Sequence, residues 1–228
     1  MDIAATIHTA STWVIPVLIA ITFHEAAHGF AAWWLGDDTA YRQGRVTLNP
    51  IKHVDPFGTI ILPAMLMLFK APFLFGWAKP VPVDFRRLRN PRGHMVLVAA
   101  AGPGINIVLA TISALLLRLT DMLPDLAQAW YAITLGNSIM LNLVLAVFNM
   151  IPLPPLDGGR VAVGLLPDFL AFPLARLERY GMLILIGIIF LLPFVGAQMG
   201  VRLDVFSWIV WTPVQRMLPY FAALAGAG

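Results

Sequence analysis

Four stretches of the chain, residues 11–35, 95–118, 131–152 and 180–197, are each apolar over the roughly 20 residues that a helix needs to cross about 30 Å of hydrocarbon. Backbone placed in lipid must satisfy its own hydrogen bonds, so these runs dictate helices. Composition agrees: 59% of the 228 residues are AVILMFWYC and 12% are charged, against roughly 25% charged in soluble domains. The expected fold is an all-α membrane bundle. Two further segments bring the total to five or six. Residues 58–78 are interrupted by Pro63, Lys70, Pro72 and Gly76 and read as re-entrant. Residues 204–225 are interrupted by Pro213, Gln215, Arg216 and Pro219 and read as a poor span or an interfacial helix.

Loop charges set the orientation. Lys79, Arg86, Arg87, Arg89 and Arg92 precede the 95–118 segment, whereas the loop after it holds Asp121 and Asp125 beside Arg118. The positive-inside bias places the basic loop in the cytoplasm, and Arg160, Arg176 and Arg179 on the same side. A re-entrant 58–78 then makes the first helix run inward, with the N-terminus outside. The first 20 residues carry no basic n-region, which predicts that no signal peptide is cleaved. Residues 41–57 are broken by Gly44, Pro50 and Pro56, and with 76–84 they read as a small β element at the membrane face. The longest polar stretch, residues 36–57, is too short to bury a core of its own. The chain is therefore expected to be one polytopic domain, 1–228, with a catalytic core at about 11–165 and C-terminal helices at about 180–225. A net charge of +3 with no basic amphipathic run argues against nucleic acid as a partner.

His24-Glu25-Ala26-Ala27-His28 stands inside the first apolar segment. Histidines at i and i+4 share one helix face, so both imidazoles can reach one ion. Zn²⁺ accepts two His, and a Glu beside the first is placed to take a proton from a metal-bound water. With no Cys in the chain, any metal must be held by His, Asp or Glu. The chain has only two Glu and five His, and a carboxylate at the centre of a membrane helix costs roughly 2.5–3.5 kcal/mol on insertion scales, so the cluster needs a compensating partner. A hydrolytic zinc site needs a third protein ligand. Most acids sit in loops or at segment ends. Asp157 instead follows an inward-running helix, after Pro152, Pro154 and Pro155, which unwind it; such irregular backbone is tolerated at membrane depth where it lines a cavity.

With HExxH at 24–28 and Asn149, Pro152, Pro154 and Leu156-Asp157-Gly158 matching an NxxPxPxLDG element, the chain resembles the site-2 protease family of intramembrane zinc metalloproteases. Ala101-Gly102-Pro103-Gly104-Ile105-Asn106 looks like the family's small-residue helix, and residues 44–50 and 76–83 look like its compact bacterial branch without PDZ or CBS domains. The resemblance covers roughly residues 15–165. It implies one zinc ion held by His24, His28 and Asp157, Glu25 as general base, a bacterial inner-membrane setting, and a membrane-spanning protein or peptide as substrate; the charge map with a re-entrant 58–78 places His28 and Asp157 toward the cytoplasmic half.

Asn149 is the candidate donor to the oxyanion or substrate backbone, and Asn106 is helix glue first and substrate contact second. An unwound substrate needs replacement hydrogen bonds, which an exposed edge at 44–49 or 78–83 could supply. His53 and Asp55 read as a solvated loop pair, with a second metal the lesser reading. The competing reading of the whole is a non-catalytic zinc-binding scaffold or a transporter; an intact Glu25 and the lack of a second intramembrane acid relay count against it. Substrate identity, trigger and oligomeric state are not written in the sequence.

Overall fold

A computed structural model of the protein describes residues 3–68, 76–201 and 203–226. Its helices are α1 (Ile3–Trp34), α2 (Thr39–Arg42), α3 (Leu62–Leu68), α4 (Pro91–Leu117), α5 (Asp125–Asn149), α6 (Asp157–Leu165), α7 (Asp168–Arg176), α8 (Glu178–Ile186), α9 (Leu192–Gln198) and α10 (Thr212–Leu224). Four helical runs are long and apolar enough to cross a membrane: α1 from Ala4, α4, α5, and α8 continued through α9. They coincide with the four expected spans. Their outward faces carry Val14, Leu18, Val108, Ile112, Leu183 and Phe194, all exposed, a surface that lipid and not water accommodates. The protein is an integral membrane protein.

The centre of the bundle is α4, which packs against α1, α5, α6 and α10. Asn90 caps its first turn by accepting from the Gly93 N–H, with Pro91 preset at the first helical position. Its buried face is built of small residues, Ala99, Gly102, Asn106, Ala110, Ser113 and Ala114, at helical spacing. Small side chains let neighbouring backbones approach closely, the usual basis of helix association where lipid removes the hydrophobic drive. On this face Ala110 and Ala114 meet Ile139 and Leu143 of α5 and Val210, Val214 and Phe221 of the C-terminal helix. The 204–225 segment is thus a packed wall of the bundle. It begins where Asp204 accepts from the Ser207 Oγ and N–H, bonds that hold the Asp204 carboxyl below its usual range.

The ends of the helices reveal how the 58–78 segment runs. Arg89 N–H donates to Leu35 O at 3.1 Å and Asp84 N–H to Asp37 Oδ2 at 2.7 Å, so the C-terminal end of α1 and the N-terminal end of α4 share one face. Between them the chain leaves at Gly58 and returns at Trp77, whose N–H donates to Gly58 O at 3.1 Å; Lys79 N–H donates to His53 O at 2.9 Å. The segment therefore departs from and rejoins the same face. Its middle, residues 69–75, lies outside the described residues. The Arg92 guanidinium, on the first turn of α4, reaches Gly164 O, Leu166 O and Asp168, bringing the α5–α8 connection to this face as well.

The small β element is corrected: among the described residues there is no strand. Asn49 accepts from the Ile51 N–H and Asp55 from the Gly58 N–H, each before a proline, so 50–53 and 56–61 wind into short helical turns. Residues 76–84 form no regular element and cannot ladder. Within 77–82 the Trp77, Lys79 and Val81 N–H groups are already bonded, and Pro80 and Pro82 have none, which leaves Ala78.

Candidate metal centre

α5 ends at Asn149 and gives way to the proline-broken turn 150–156, after which Asp157 opens α6. The geometry brings three buried ligand atoms together from α1 and α6. His24 Nε2 and His28 Nε2 are 3.1 Å apart, and each lies 3.2 Å from Asp157 Oδ2. Among the described residues this is the one group of three or more potential metal ligands. A zinc ion bonded tetrahedrally at about 2.0–2.1 Å sets its ligand atoms roughly 3.3 Å apart. The triangle fits three vertices of that tetrahedron and leaves the fourth free.

Hydrogen bonds at the far side of each ring fix what the near side presents. His28 Nδ1 meets the Val98 carbonyl at 2.7 Å, and a carbonyl only accepts, so Nδ1 carries the proton. His24 Nδ1 meets Asn106 Oδ1 at 2.6 Å and donates in the same way. Both Nε2 atoms therefore turn bare lone pairs toward a carboxylate oxygen. Asp157 Oδ2 is buried and has no hydrogen-bond donor. Three acceptors within 3.2 Å of one another repel unless a cation sits among them, so the donor set fits a metal ion.

Close packing is built into the site. A Cβ on Gly102 of α4 would stand 2.6 Å from His28 Cε1 and 2.7 Å from His24 Cε1, so only glycine lets α4 pass under the imidazoles. Gly102→Ala is expected to push both rings apart and cut bound zinc at least tenfold. The helix itself gains propensity from the change, so metal analysis beside circular dichroism separates the two effects: a variant that binds zinc normally would show that the rings have room to move.

The triad lines a cavity of about 380 Å³ together with Glu25, Val81, Asn149, Met182 and Leu185. Glu25 Oε2 accepts from the Val81 N–H at 2.8 Å, so the 76–84 segment lies against the site and holds the carboxylate. Asn149 lines the same cavity and donates one N–H to Leu145 O at 3.0 Å, leaving its second amide hydrogen. Asn106 is fully buried and joins α4 to α1 through His24 and to α5 through Asn142, in keeping with its first reading as helix glue; its secondary reading, a substrate contact, finds no exposed surface. His53 is buried as well, donating to Thr47 O at 2.9 Å, while Asp55 caps Gly58; both serve the local turns and do not form a solvated pair. A larger hollow of about 540 Å³ between α4, α5 and Ile209 is lined by apolar residues alone and offers no chemistry. Sequence reasoning missed the Val98 carbonyl and the Val81 N–H, main-chain atoms that no residue type announces.

No family profile and no solved structure matches the chain. Among curated proteins, "Putative zinc metalloprotease YwhC" of Bacillus subtilis is 43% identical over 184 residues, 79% of this chain and 80% of its own length. "Putative zinc metalloprotease Rip2" of Mycolicibacterium smegmatis is 31% identical over 170 residues, 74% of this chain and 62% of the relative. Rip2 of Mycobacterium tuberculosis is 32% identical over 141 residues, 62% and 52% of the two lengths. Identity of 43% across 80% of YwhC leaves no room for a different fold or lineage, and the chain belongs to the zinc metalloprotease family of YwhC and Rip2.

Proposed function

We propose that the chain is an intramembrane endopeptidase of the site-2 protease type, which hydrolyses peptide bonds of membrane-spanning substrates at one zinc ion held by His24, His28 and Asp157. The observation that carries the reading is the buried triangle of lone pairs around the orphaned Asp157 Oδ2. His28 and His24 lie 6 and 10 residues before the end of α1, about 9 and 15 Å at 1.5 Å per residue, which supports cleavage below the membrane surface. The face they approach carries the basic loops, so the active site belongs to the cytoplasmic half of a bacterial inner membrane.

When bound, zinc polarises the scissile carbonyl and lowers the pKa of a water toward 7. Glu25 takes up the proton released by that water and passes it to the leaving amine. The Val81 N–H holds one of its oxygens, leaving the other for the proton. Asn149 lines the cavity, and its second amide hydrogen is the donor assigned to the substrate. The chain works as a single polytopic domain, with 11–165 as catalytic core; packing of the C-terminal helix against α4 and α5 supports this.

Purified protein reconstituted with a membrane-spanning peptide is expected to yield discrete fragments by mass spectrometry, to lose activity on zinc chelation and to regain it on zinc addition. Zinc bound one-to-one without hydrolysis would replace this reading with the non-catalytic scaffold or transporter.

A further inference from the structure

Behind His24 the side-chain hydrogen bonds run in one direction. Its Nδ1 proton is accepted by Asn106 Oδ1 at 2.6 Å. An amide turned by 180° would offer N–H instead, and His24 would then carry its proton at Nε2, on the metal side. The sense of Asn106 is set by its own Nδ2, which donates to Asn142 Oδ1 at 2.7 Å; its other contact, Ala20 O, is at 3.4 Å and too long to hold the amide alone. Asn142 faces the same ambiguity. Its Nδ2 donates to the Ser138 main-chain carbonyl at 2.8 Å, an atom that can only accept. Asn106 and Asn142 are both fully buried, so water cannot compensate a reversed amide, and one leaves two groups unsatisfied. The chain starts at a fixed acceptor on α5, and each amide transmits that sense to the next group.

We propose that Asn142 is a positioning residue of the metal centre, which through Asn106 keeps the proton of His24 on Nδ1 and leaves Nε2 bare for the ion. The inference rests on His24 being a metal ligand, and it concerns what makes that ligand competent before the ion arrives. Beyond Ser138 the relay has no sense to carry. Ser138 Oγ and Ser113 Oγ lie 2.8 Å apart, and hydroxyls donate or accept by rotation. Ser113→Ala therefore removes a hydrogen bond one step past the relay: Ser138 Oγ, a long 3.3 Å contact of Asn142 Nδ2, stays in place, and so does the Ser138 carbonyl that fixes the sense of Asn142.

The test uses the full chain in detergent micelles, metal-free and labelled with ¹⁵N-histidine, reading the Nδ1 shift of His24, with zinc affinity measured by chelator competition. Wild type and Ser113→Ala are expected to show a protonated Nδ1. Asn142→Asp is expected to do the same, because a carboxyl group still presents an acceptor to Asn106. Asn142→Leu is expected to show a mixture of protonated and unprotonated Nδ1 and to bind zinc about tenfold more weakly. A folded Asn142→Leu with wild-type Nδ1 state and zinc affinity would overturn the proposal. An unprotonated Nδ1 in the wild type overturns it too, which decides the matter even where Asn142→Leu does not fold. Failure of the protease reading appears elsewhere, as zinc without hydrolysis, and leaves the Nδ1 state as it is.

Discussion

Glu25→Gln is expected to retain one zinc per chain and to lower kcat for peptide hydrolysis by about 10³-fold, within the range that a positioned general base contributes. Two features make metal and activity separable here. The three atoms that converge on the ion position come from His24, His28 and Asp157, so Glu25 is not among them. Its carboxylate is instead anchored at Oε2 by the Val81 N–H at 2.8 Å, and a Gln oxygen can accept the same bond. The substitution then leaves shape and anchor in place and puts an N–H₂, which cannot accept a proton, where the second oxygen stood. Loss of transition-state stabilisation alone lowers kcat and kcat/KM together. Hydrolysis that continues undiminished, with zinc content unchanged, would remove Glu25 from the reaction.

The parts of this site that the sequence discloses are those fixed by local geometry. Helical spacing makes His24 and His28 share a face without reference to any other segment, and three prolines within 152–155 break α5 whatever surrounds it. The spans follow from length and hydropathy in the same way. What stays hidden depends on contacts between distant segments. Nothing near Asn106 in the chain indicates that its oxygen meets His24, 82 residues away, and Asn142 gains its meaning only from Asn106. The strands expected within 41–57 fail for a local reason: Asn49 and Asp55 each cap a turn that the next proline begins.

Asp157→Asn provides the second large effect, and its sign differs between two measurements. Zinc affinity is expected to fall more than 100-fold, since even groups behind the ligands are worth about 10–100-fold. The metal-free protein, in contrast, is expected to melt no lower than metal-free wild type. With both Nδ1 protons committed to Val98 O and Asn106 Oδ1, the wild-type cluster without metal sets a carboxylate oxygen 3.2 Å from two lone pairs with no donor of its own. Leaving a buried carboxylate uncompensated costs several kcal/mol. An Asn amide removes that charge and can donate to one Nε2, a bond worth about 1 kcal/mol net. Stabilisation by added zinc, which follows ligand concentration over Kd, should vanish in the variant and be plain in the wild type. A residue that merely buttressed the turn after α5 would behave the other way, melting lower without metal and keeping its zinc; that outcome in thermal melts and metal analysis would take Asp157 out of the ligand set.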